Sequence, residues 1–115
     1  TVLVNTSSSM DVEQVELFGP ALCLRSFREF DEALSFVNEG RYGLQAGVFT
    51  RDLGCIWKAH EELRVGGVIV NDSSNYRVDN MPYGGVKESG LGREGIRWAI
   101  GEYTEERLLA LTKPL

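Results

Sequence analysis

The sequence predicts an α/β fold built on a parallel βαβ sheet, and two observations favour it. Short apolar or β-branched runs of strand length alternate with segments whose apolar residues recur at spacings of three and four. Strands alternating with helices of about ten residues are typical of right-handed βαβ units with parallel strands. Ligands of such open sheets bind beyond the carboxyl ends of the strands, so we expect a site at that edge.

Length and composition narrow the class of protein. A chain of 115 residues suffices for one domain with a modest core. Its net charge of −5 argues against nucleic acid or an anionic membrane as the main partner. No apolar run approaches the roughly 20 residues of a transmembrane helix. Cys23 and Cys55 lie in apolar patterns without metal-ligand spacing, so we expect a reduced, cytoplasmic protein without a metal site.

The first half of the chain is predicted to contain two strands and two helices. Ser8 and Asp11 fit a capping box for the first helix, and Asp31 is the expected N-cap of the second. In the second helix four apolar residues share one face, and Gly40 is placed to end it. The predicted elements are a strand over residues 1–5, a helix over Met10–Glu16, a strand over Ala21–Phe27 and a helix from Glu29, with its apolar face at Phe30, Ala33, Leu34 and Val37.

The second half continues the alternation and then becomes irregular. Asp52 is expected to open a helix between two strands, and a long loop over Asp72–Ser89 precedes the last helix. The terminal strand, Arg107–Thr112, either folds back as an edge strand or pairs with another subunit. The other predicted features are a turn at Tyr42–Leu44, strands over Gln45–Thr50 and Val65–Val70, a helical face of Leu53, Ile56, Trp57, His60 and Leu63, and helical spacing from Ile96 to Tyr103.

Val15–Pro20 is predicted to be a tight connection between a short helix and a strand. Gly19 and Pro20 cannot comfortably continue a helix, and an apolar run starts directly after them. A connection this tight can hold a backbone and two side chains, Glu16 and Phe18, rigidly against a ligand. The alternative is a solvated glutamate and a core phenylalanine beside a helix stop, which residue types alone favour.

Other chemical candidates are weaker. Gly90–Gly95 has the letters of a dinucleotide fingerprint but follows an irregular loop, so we interpret it as a glycine-rich entry to a helix. The single histidine, His60, has no partner for a triad or metal site, and Cys55 near a helix start has no partner base. On the long loop, Arg77 is either solvated or recognises a carboxylate or phosphate of a substrate.

Taken together, these motifs resemble the C-terminal part of the aldehyde dehydrogenase superfamily. They occur in the family's order and spacing and cover nearly the whole chain. Since Thr1–Val4 starts as a strand already in progress, we expect the back end of a longer chain. The matching segments are Glu16–Pro20, Asp31–Asn38, Tyr42–Leu44, Val48–Thr50, Val70–Asn71, Pro82–Gly95 and Tyr103–Glu105.

The resemblance implies an enzyme that oxidises aldehydes to acids with NAD or NADP. Family members use a cysteine nucleophile and a glutamate base, and both precede the segment resembled here. Neither Cys23 nor Cys55 falls at the nucleophile position, so we expect no catalytic residue in this chain. By resemblance, Glu16 accepts hydrogen bonds from the nicotinamide-ribose hydroxyls, and Phe18 packs near the nicotinamide.

The resemblance also assigns a substrate tunnel and an oligomerisation strand. Tyr83 matches the aromatic that lines the aldehyde tunnel, and Asp72 and Arg77 belong to the variable loop at its mouth. That loop is similar to members acting on small polar or anionic aldehydes. Residues 1–104 then belong to the catalytic domain, and residues 105–115 form an arm that extends a neighbouring sheet in a homodimer or homotetramer. The alternative is a non-catalytic, truncated domain that self-associates through the same strand.

Overall fold

The computed structural model describes residues 1–113. The chain contains six short strands and four helices within that range. In order they are β1 (Val2–Val4), α1 (Asp11–Gln14), β2 (Leu22–Leu24), α2 (Phe30–Glu39), β3 (Tyr42–Gly43), β4 (Gln45–Val48), α3 (Leu53–Glu62), β5 (Gly67–Val70), β6 (Val86–Lys87) and α4 (Ile96–Tyr103). The prediction of an α/β fold is confirmed, although most strands are shorter than the sequence pattern indicates.

Two parallel strand pairs form the framework. Strand β1 pairs with β2 in the register Leu3 to Cys23, and β4 pairs with β5 in the register Ala46 to Val68. Each parallel pair is connected through a helix, as expected for a βαβ unit. The described strands form three separate two-stranded sheets rather than one continuous sheet.

The third pair, β3 with β6, is antiparallel and was not predicted from the sequence. The predicted turn at Tyr42–Leu44 is therefore partly strand, and the loop over Asp72–Ser89 contains β6. Two-residue strands are too short to show an alternating pattern. Lys87 of β6 donates from Nζ to the carbonyl oxygen of Gly40 at 2.7 Å, which satisfies an end of α2. Burial lowers the pKa of Lys87, and the nearby positive charge of Arg64 lowers it further.

The start of a helix depends on residues close by in the sequence. Of the three N-caps predicted from the sequence, one is correct. Asp52 caps α3, because its Oδ1 accepts from the backbone N–H of Gly54 at 2.6 Å. The capping box expected at Ser8 is wrong, since the N-cap of α1 is Met10 and has no side-chain cap. Asp31 lies inside the first turn of α2 instead of capping it, and pairs with Lys58 at 2.5 Å.

The stretch between α1 and β2 turns sharply, as predicted. Helix α1 ends at Gln14 rather than Glu16, because Val15 already has an extended backbone. The N–H of Gly19 then donates to the carbonyl of Leu17 at 2.9 Å, and the N–H of Ala21 donates to Gly19 at 2.8 Å. Two successive bonds between residues two apart produce a tight connection that leaves Glu16 next to the end of the helix.

The core lies where α2 and α3 cover the β4–β5 pair. Its buried side chains are Leu34, Ala59 and Leu63. The apolar face predicted for α3 is correct at Leu63 and wrong at Trp57 and His60: Trp57 is 62% exposed, and His60 is exposed beside it. Ala59 and Leu63 are four residues apart and occupy the inward face, while the larger side chains lie on the next ridge of the helix.

The terminal segment, residues 104–113, forms neither helix nor strand. Of the two alternatives for Arg107–Thr112, folding back as an edge strand is wrong, because no strand of residues 1–113 hydrogen-bonds to it. Its apolar side chains are exposed, Leu108 at 91%. The molecule is 75 Å long with a radius of gyration of 19.5 Å, against about 13 Å for a compact chain of this length. No helix among the described residues has the length and apolarity to cross a membrane.

Candidate functional site

The loop that follows β5 is fastened at the carboxyl edge of the β4–β5 pair. The N–H of Asn71 donates to the carbonyl of Val48, and its side-chain oxygen accepts from the N–H of Thr50, both at 2.9 Å. Asn71 has a φ of 58°, which redirects the chain away from the strand. The carboxylate of Asp72 accepts from the N–H of Ser73 at 2.7 Å, so this predicted tunnel residue is exposed and caps its own loop.

The loop returns to the fold through a backbone bridge between Tyr83 and Glu94. The N–H of Tyr83 donates to Glu94 at 3.1 Å, and the N–H of Glu94 donates back at 2.6 Å. Tyr83 is half-buried and lines a cavity of about 490 Å³. Leu44, Ser89 and Arg93 lie in the wall of the same cavity, which therefore has an apolar and a polar side.

Arg77 joins this bridge through its side chain. Its Nη2 donates to a carboxylate oxygen of Glu94 at 2.9 Å, and its guanidinium lies 4.2 Å from the centre of the Tyr83 ring. We call Arg77, Tyr83 and Glu94 the arginine cluster. A guanidinium carries five N–H donors in a planar fork, and within residues 1–113 only Nη2 is engaged. The remaining donors are available to an anion, and the Glu94 carboxylate offsets part of the positive charge.

Glu16 lines a second cavity of about 410 Å³. Leu44 and Ser89 border both cavities, so the predicted cofactor residue and the predicted tunnel residue Tyr83 lie on adjoining spaces. The carboxylate of Glu16 is exposed and accepts no hydrogen bond from any residue of the described chain. Phe18 lines neither cavity, and its ring is 93% exposed.

The side chains of Arg77 and Tyr83 are thus in contact, and Glu16 lines the cavity that adjoins the one at Tyr83. Asp72 and Phe18 line neither cavity. Sequence reasoning missed Glu94, which it treated as part of a glycine-rich scaffold. The signal was weak, because Glu94 reaches Arg77 across 17 positions of sequence. Neither cysteine has a base beside it among the described residues: Cys23 Sγ lies 3.7 Å from the carbonyl of Val12, and His60 packs edge-on against Trp57.

The glycine run preceding α4 has the conformation of an irregular turn rather than a dinucleotide loop. Gly90, Gly92 and Gly95 have φ values between 70° and 123°, a region that favours glycine. The strand preceding the run is β6, whose partner β3 is antiparallel. Because the dinucleotide fingerprint requires a parallel βαβ unit, this geometry agrees with interpreting Gly90–Gly95 as a helix entry.

These features define an α/β protein with two adjoining cavities and an arginine beside the tyrosine-lined one. The expectation of a site at the carboxyl ends of the strands does not hold for these cavities, because Leu44 and Val65 precede β4 and β5. The chain belongs to the aldehyde dehydrogenase family, whose sequence profile matches residues 1–109. The predicted resemblance is therefore confirmed.

Individual relatives cover the chain almost completely. A 3-sulfolactaldehyde dehydrogenase of Priestia aryabhattai is 55% identical over 111 residues, which are 96% of this chain and 23% of that protein. The crystal structure of a glyceraldehyde-3-phosphate dehydrogenase from Methanocaldococcus jannaschii, complexed with NADP, has a TM-score of 0.80 at 40% identity and covers 88% of this chain and 22% of its own. The crystal structure of an NAD-dependent aldehyde dehydrogenase from Sinorhizobium meliloti has a TM-score of 0.87 at 31% identity, covering 99% and 23%. The chain spans less than a quarter of the length of each of these proteins.

Proposed function

We propose that the chain is the C-terminal part of an NAD(P)-dependent aldehyde dehydrogenase that oxidises a small anionic aldehyde to an acid. Residues 1–104 belong to the catalytic domain, and residues 105–115 form an oligomerisation arm. The observation that carries the proposal is the pair of adjoining cavities, one bordered by Glu16 and the other by Tyr83 of the arginine cluster. The nucleophilic cysteine and the glutamate base lie outside this chain, which supplies binding and orientation.

The cofactor contacts are assigned to Glu16 and Phe18. A carboxylate without a protein partner can accept hydrogen bonds from two neighbouring ribose hydroxyls, since it has two acceptor oxygens. The exposed ring of Phe18 offers an apolar surface against which a nicotinamide can pack. Glu16 and Phe18 would thereby hold NAD or NADP, which would supply the hydride acceptor for oxidation of the aldehyde. One similar structure is complexed with NADP and another is of an NAD-dependent enzyme, so the proposal includes both cofactors.

The substrate class is argued from Arg77. Its guanidinium is held by the Tyr83 ring and by one bond to Glu94, and it keeps donors for a carboxylate, sulfonate or phosphate. Asp72 begins the same loop and is assigned to the tunnel mouth by resemblance alone, since its exposed carboxylate accepts from the N–H of Ser73 and lines neither cavity. The names of two relatives, a 3-sulfolactaldehyde dehydrogenase and a glyceraldehyde-3-phosphate dehydrogenase, both specify aldehydes with an acidic group.

Glu16→Gln in the complete enzyme is expected to slow hydride transfer about tenfold, because an amide loses one of the two acceptor oxygens and the negative charge. The measurement is the single-turnover rate of reduced nicotinamide formation, followed by absorbance. Glu61→Gln, an equally exposed carboxylate on α3, is the matched control and should leave the rate unchanged. Equal rates for wild type and Glu16→Gln would remove Glu16 from the cofactor site.

A second candidate, a non-catalytic module that self-associates, is favoured by the exposed leucines of residues 104–113. For either candidate function, we expect the arm to add a strand to the sheet of a neighbouring subunit, giving a homodimer or homotetramer. Light scattering on the complete protein should therefore report two or four subunits, and Leu109→Lys should lower that number. A monomeric wild type would contradict the arm. Association without any aldehyde oxidation would favour the non-catalytic candidate.

A cytoplasmic location is the remaining part of the proposal. Both cysteines of the chain, Cys23 and Cys55, are half-buried free thiols. Free thiols without a metal or catalytic partner are typical of reducing compartments, where disulfides are rare.

A further inference from the structure

We propose that Gln45 is a positioning residue for Arg77, and that it thereby sets the preference of the enzyme for anionic over neutral aldehydes. This inference rests on the proposed role of Arg77 in substrate recognition. Gln45 lies on β4, 32 positions before Arg77, and its side-chain hydrogen bonds go to the backbone of the loop rather than to the guanidinium. It acts on the backbone that carries Arg77.

The contact is made by a single side-chain amide. Nε2 of Gln45 donates to the carbonyl oxygen of Ser74 at 2.7 Å and to that of Tyr76 at 3.1 Å. An amide nitrogen has two N–H groups, so each carbonyl can receive its own hydrogen. Tyr76 immediately precedes Arg77, and its carbonyl belongs to the peptide group that continues into Arg77. The amide thus restrains the backbone position from which the Arg77 side chain extends.

The neighbouring strand, β5, leaves space for the side chain of Gln45. Gly67 of β5 is the register partner of Gln45. A Cβ at Gly67 would lie 2.8 Å from Oε1 of Gln45, and the three atoms nearest to it all belong to Gln45. Glycine at this position therefore leaves room for the amide to lie over β5 on its way to the loop.

A second glycine brings the loop close to β4. A Cβ at Gly47 would lie 2.8 Å from the carbonyl oxygen of Asp72 and 3.3 Å from the backbone nitrogen of Ser74. Gln45 and Gly47 are two residues apart on one strand, so their side-chain positions share a face of the pair. The start of the loop rests on that face at Gly47, and Gln45 holds the following carbonyls.

Arg77 is consequently restrained from two directions. Its guanidinium is held by the Tyr83 ring and by Glu94, but these are partly exposed contacts that stabilise a conformation only weakly. The Gln45 amide restrains the backbone beside it. Without the amide, Arg77 must be ordered when substrate binds, and the anion contact loses its preorganisation.

The experiment uses the complete enzyme and two aldehydes that differ only in the acidic group, 3-sulfolactaldehyde and lactaldehyde. Gln45→Met keeps the length of the side chain and removes both donors. We expect KM for 3-sulfolactaldehyde to rise about three- to tenfold, the value of one or two lost hydrogen bonds, while KM for lactaldehyde and both kcat values change less than about twofold. Gly67→Ala should likewise raise the KM for 3-sulfolactaldehyde and not that for lactaldehyde, because its methyl group displaces the Gln45 amide.

Asn38→Leu is the control for a purely structural effect. The Asn38 amide also bridges two backbone groups, donating to Glu62 and accepting from Arg64, but far along the chain from the loop. It should leave the ratio of the two KM values unchanged even where it lowers stability. Equal changes for both aldehydes in Gln45→Met and Gly67→Ala would overturn the inference.

Arg77→Ala separates this inference from the proposed function. If Arg77→Ala abolishes the preference for 3-sulfolactaldehyde and Gln45→Met leaves it intact, the positioning role alone is wrong. If Arg77→Ala leaves the preference intact, anion recognition by Arg77 is wrong, and the role of Gln45 falls with it. In the Arg77→Ala background, Gln45→Met is expected to change the preference no further, since two residues acting through one contact are not additive.

Discussion

Arg77→Ala in the complete enzyme is expected to lower kcat/KM for 3-sulfolactaldehyde about ten- to one-hundredfold and to change that for lactaldehyde less than about threefold. A hydrogen bond to a charged group contributes about 1.5–3 kcal/mol, which corresponds to this range. The loss applies only to the aldehyde that carries the acidic group. The measurement is the ratio of the two kcat/KM values in each variant.

Two further variants define the chemistry of the contact. Arg77→Lys keeps the charge but loses the planar fork and its stacking on Tyr83, so the preference should fall to an intermediate value. Arg28→Ala removes the same charge from the exposed connection before α2 and should have no effect on the preference. A parallel loss for both aldehydes in Arg77→Ala would assign Arg77 to folding of the loop rather than to the substrate.

Gly66→Ala is expected to destabilise the protein by about 3 kcal/mol or more, the upper range for forced overpacking. A Cβ at Gly66 would lie 1.6 Å from the carbonyl oxygen of Gly84 and 2.9 Å from that of Leu44. Both are backbone atoms, so no side-chain rotation relieves the overlap. Because Gly84 follows Tyr83 directly, the same shift would displace the wall of the cavity that both residues line. The readouts are the midpoint of thermal unfolding and the yield of soluble protein.

Gly101→Ala is the matched control, since it makes the same substitution where nothing lies within 4 Å of the added carbon. Gly101 lies in the last turn of α4, and alanine there should leave stability unchanged or raise it by about 0.5–1 kcal/mol. If Gly66→Ala unfolds at the same temperature as Gly101→Ala, the close approach of the two backbones at Gly66 is absent in solution.

Local signals were sufficient for the framework of the fold. Asp52 was correctly predicted to begin α3, because an N-cap acts on N–H groups two and three residues ahead. The parallel pairing of β4 with β5 followed from apolar runs separated by a helix. These features depend on residues within one or two neighbouring secondary-structure elements. Patterns in a single sequence are informative about structure over that range.

Features that depend on distant residues were missed. The β3–β6 pair joins residues more than 40 positions apart through strands of two residues. The exposure of Trp57 depends on which ridge of α3 meets the sheet, and apolar spacing alone does not distinguish neighbouring ridges. The terminal segment has the composition of a strand, but a strand also needs a hydrogen-bonding partner, and none lies among residues 1–113.

The candidate site was predicted in part, and mostly through family resemblance. By residue type alone, Glu16 suggested a solvated charge, and only the set of motifs indicated a cofactor contact. Arg77 stood out as a charge on a long loop, but its contacts with Tyr83 and Glu94 need the folded loop. Gln45 gave no signal at all, since a polar residue in a short strand is unremarkable until the opposing glycine and the carbonyls it reaches are in place.

The most direct test of the account is whether the complete protein reduces NAD or NADP when it is given an aldehyde. One reduced cofactor is expected for each acid formed, with 3-sulfolactaldehyde preferred over lactaldehyde and the preference lost in Arg77→Ala. The assay follows reduced nicotinamide by absorbance and the acid by mass spectrometry. Absence of cofactor reduction by folded, complete protein with either aldehyde and either cofactor would contradict it.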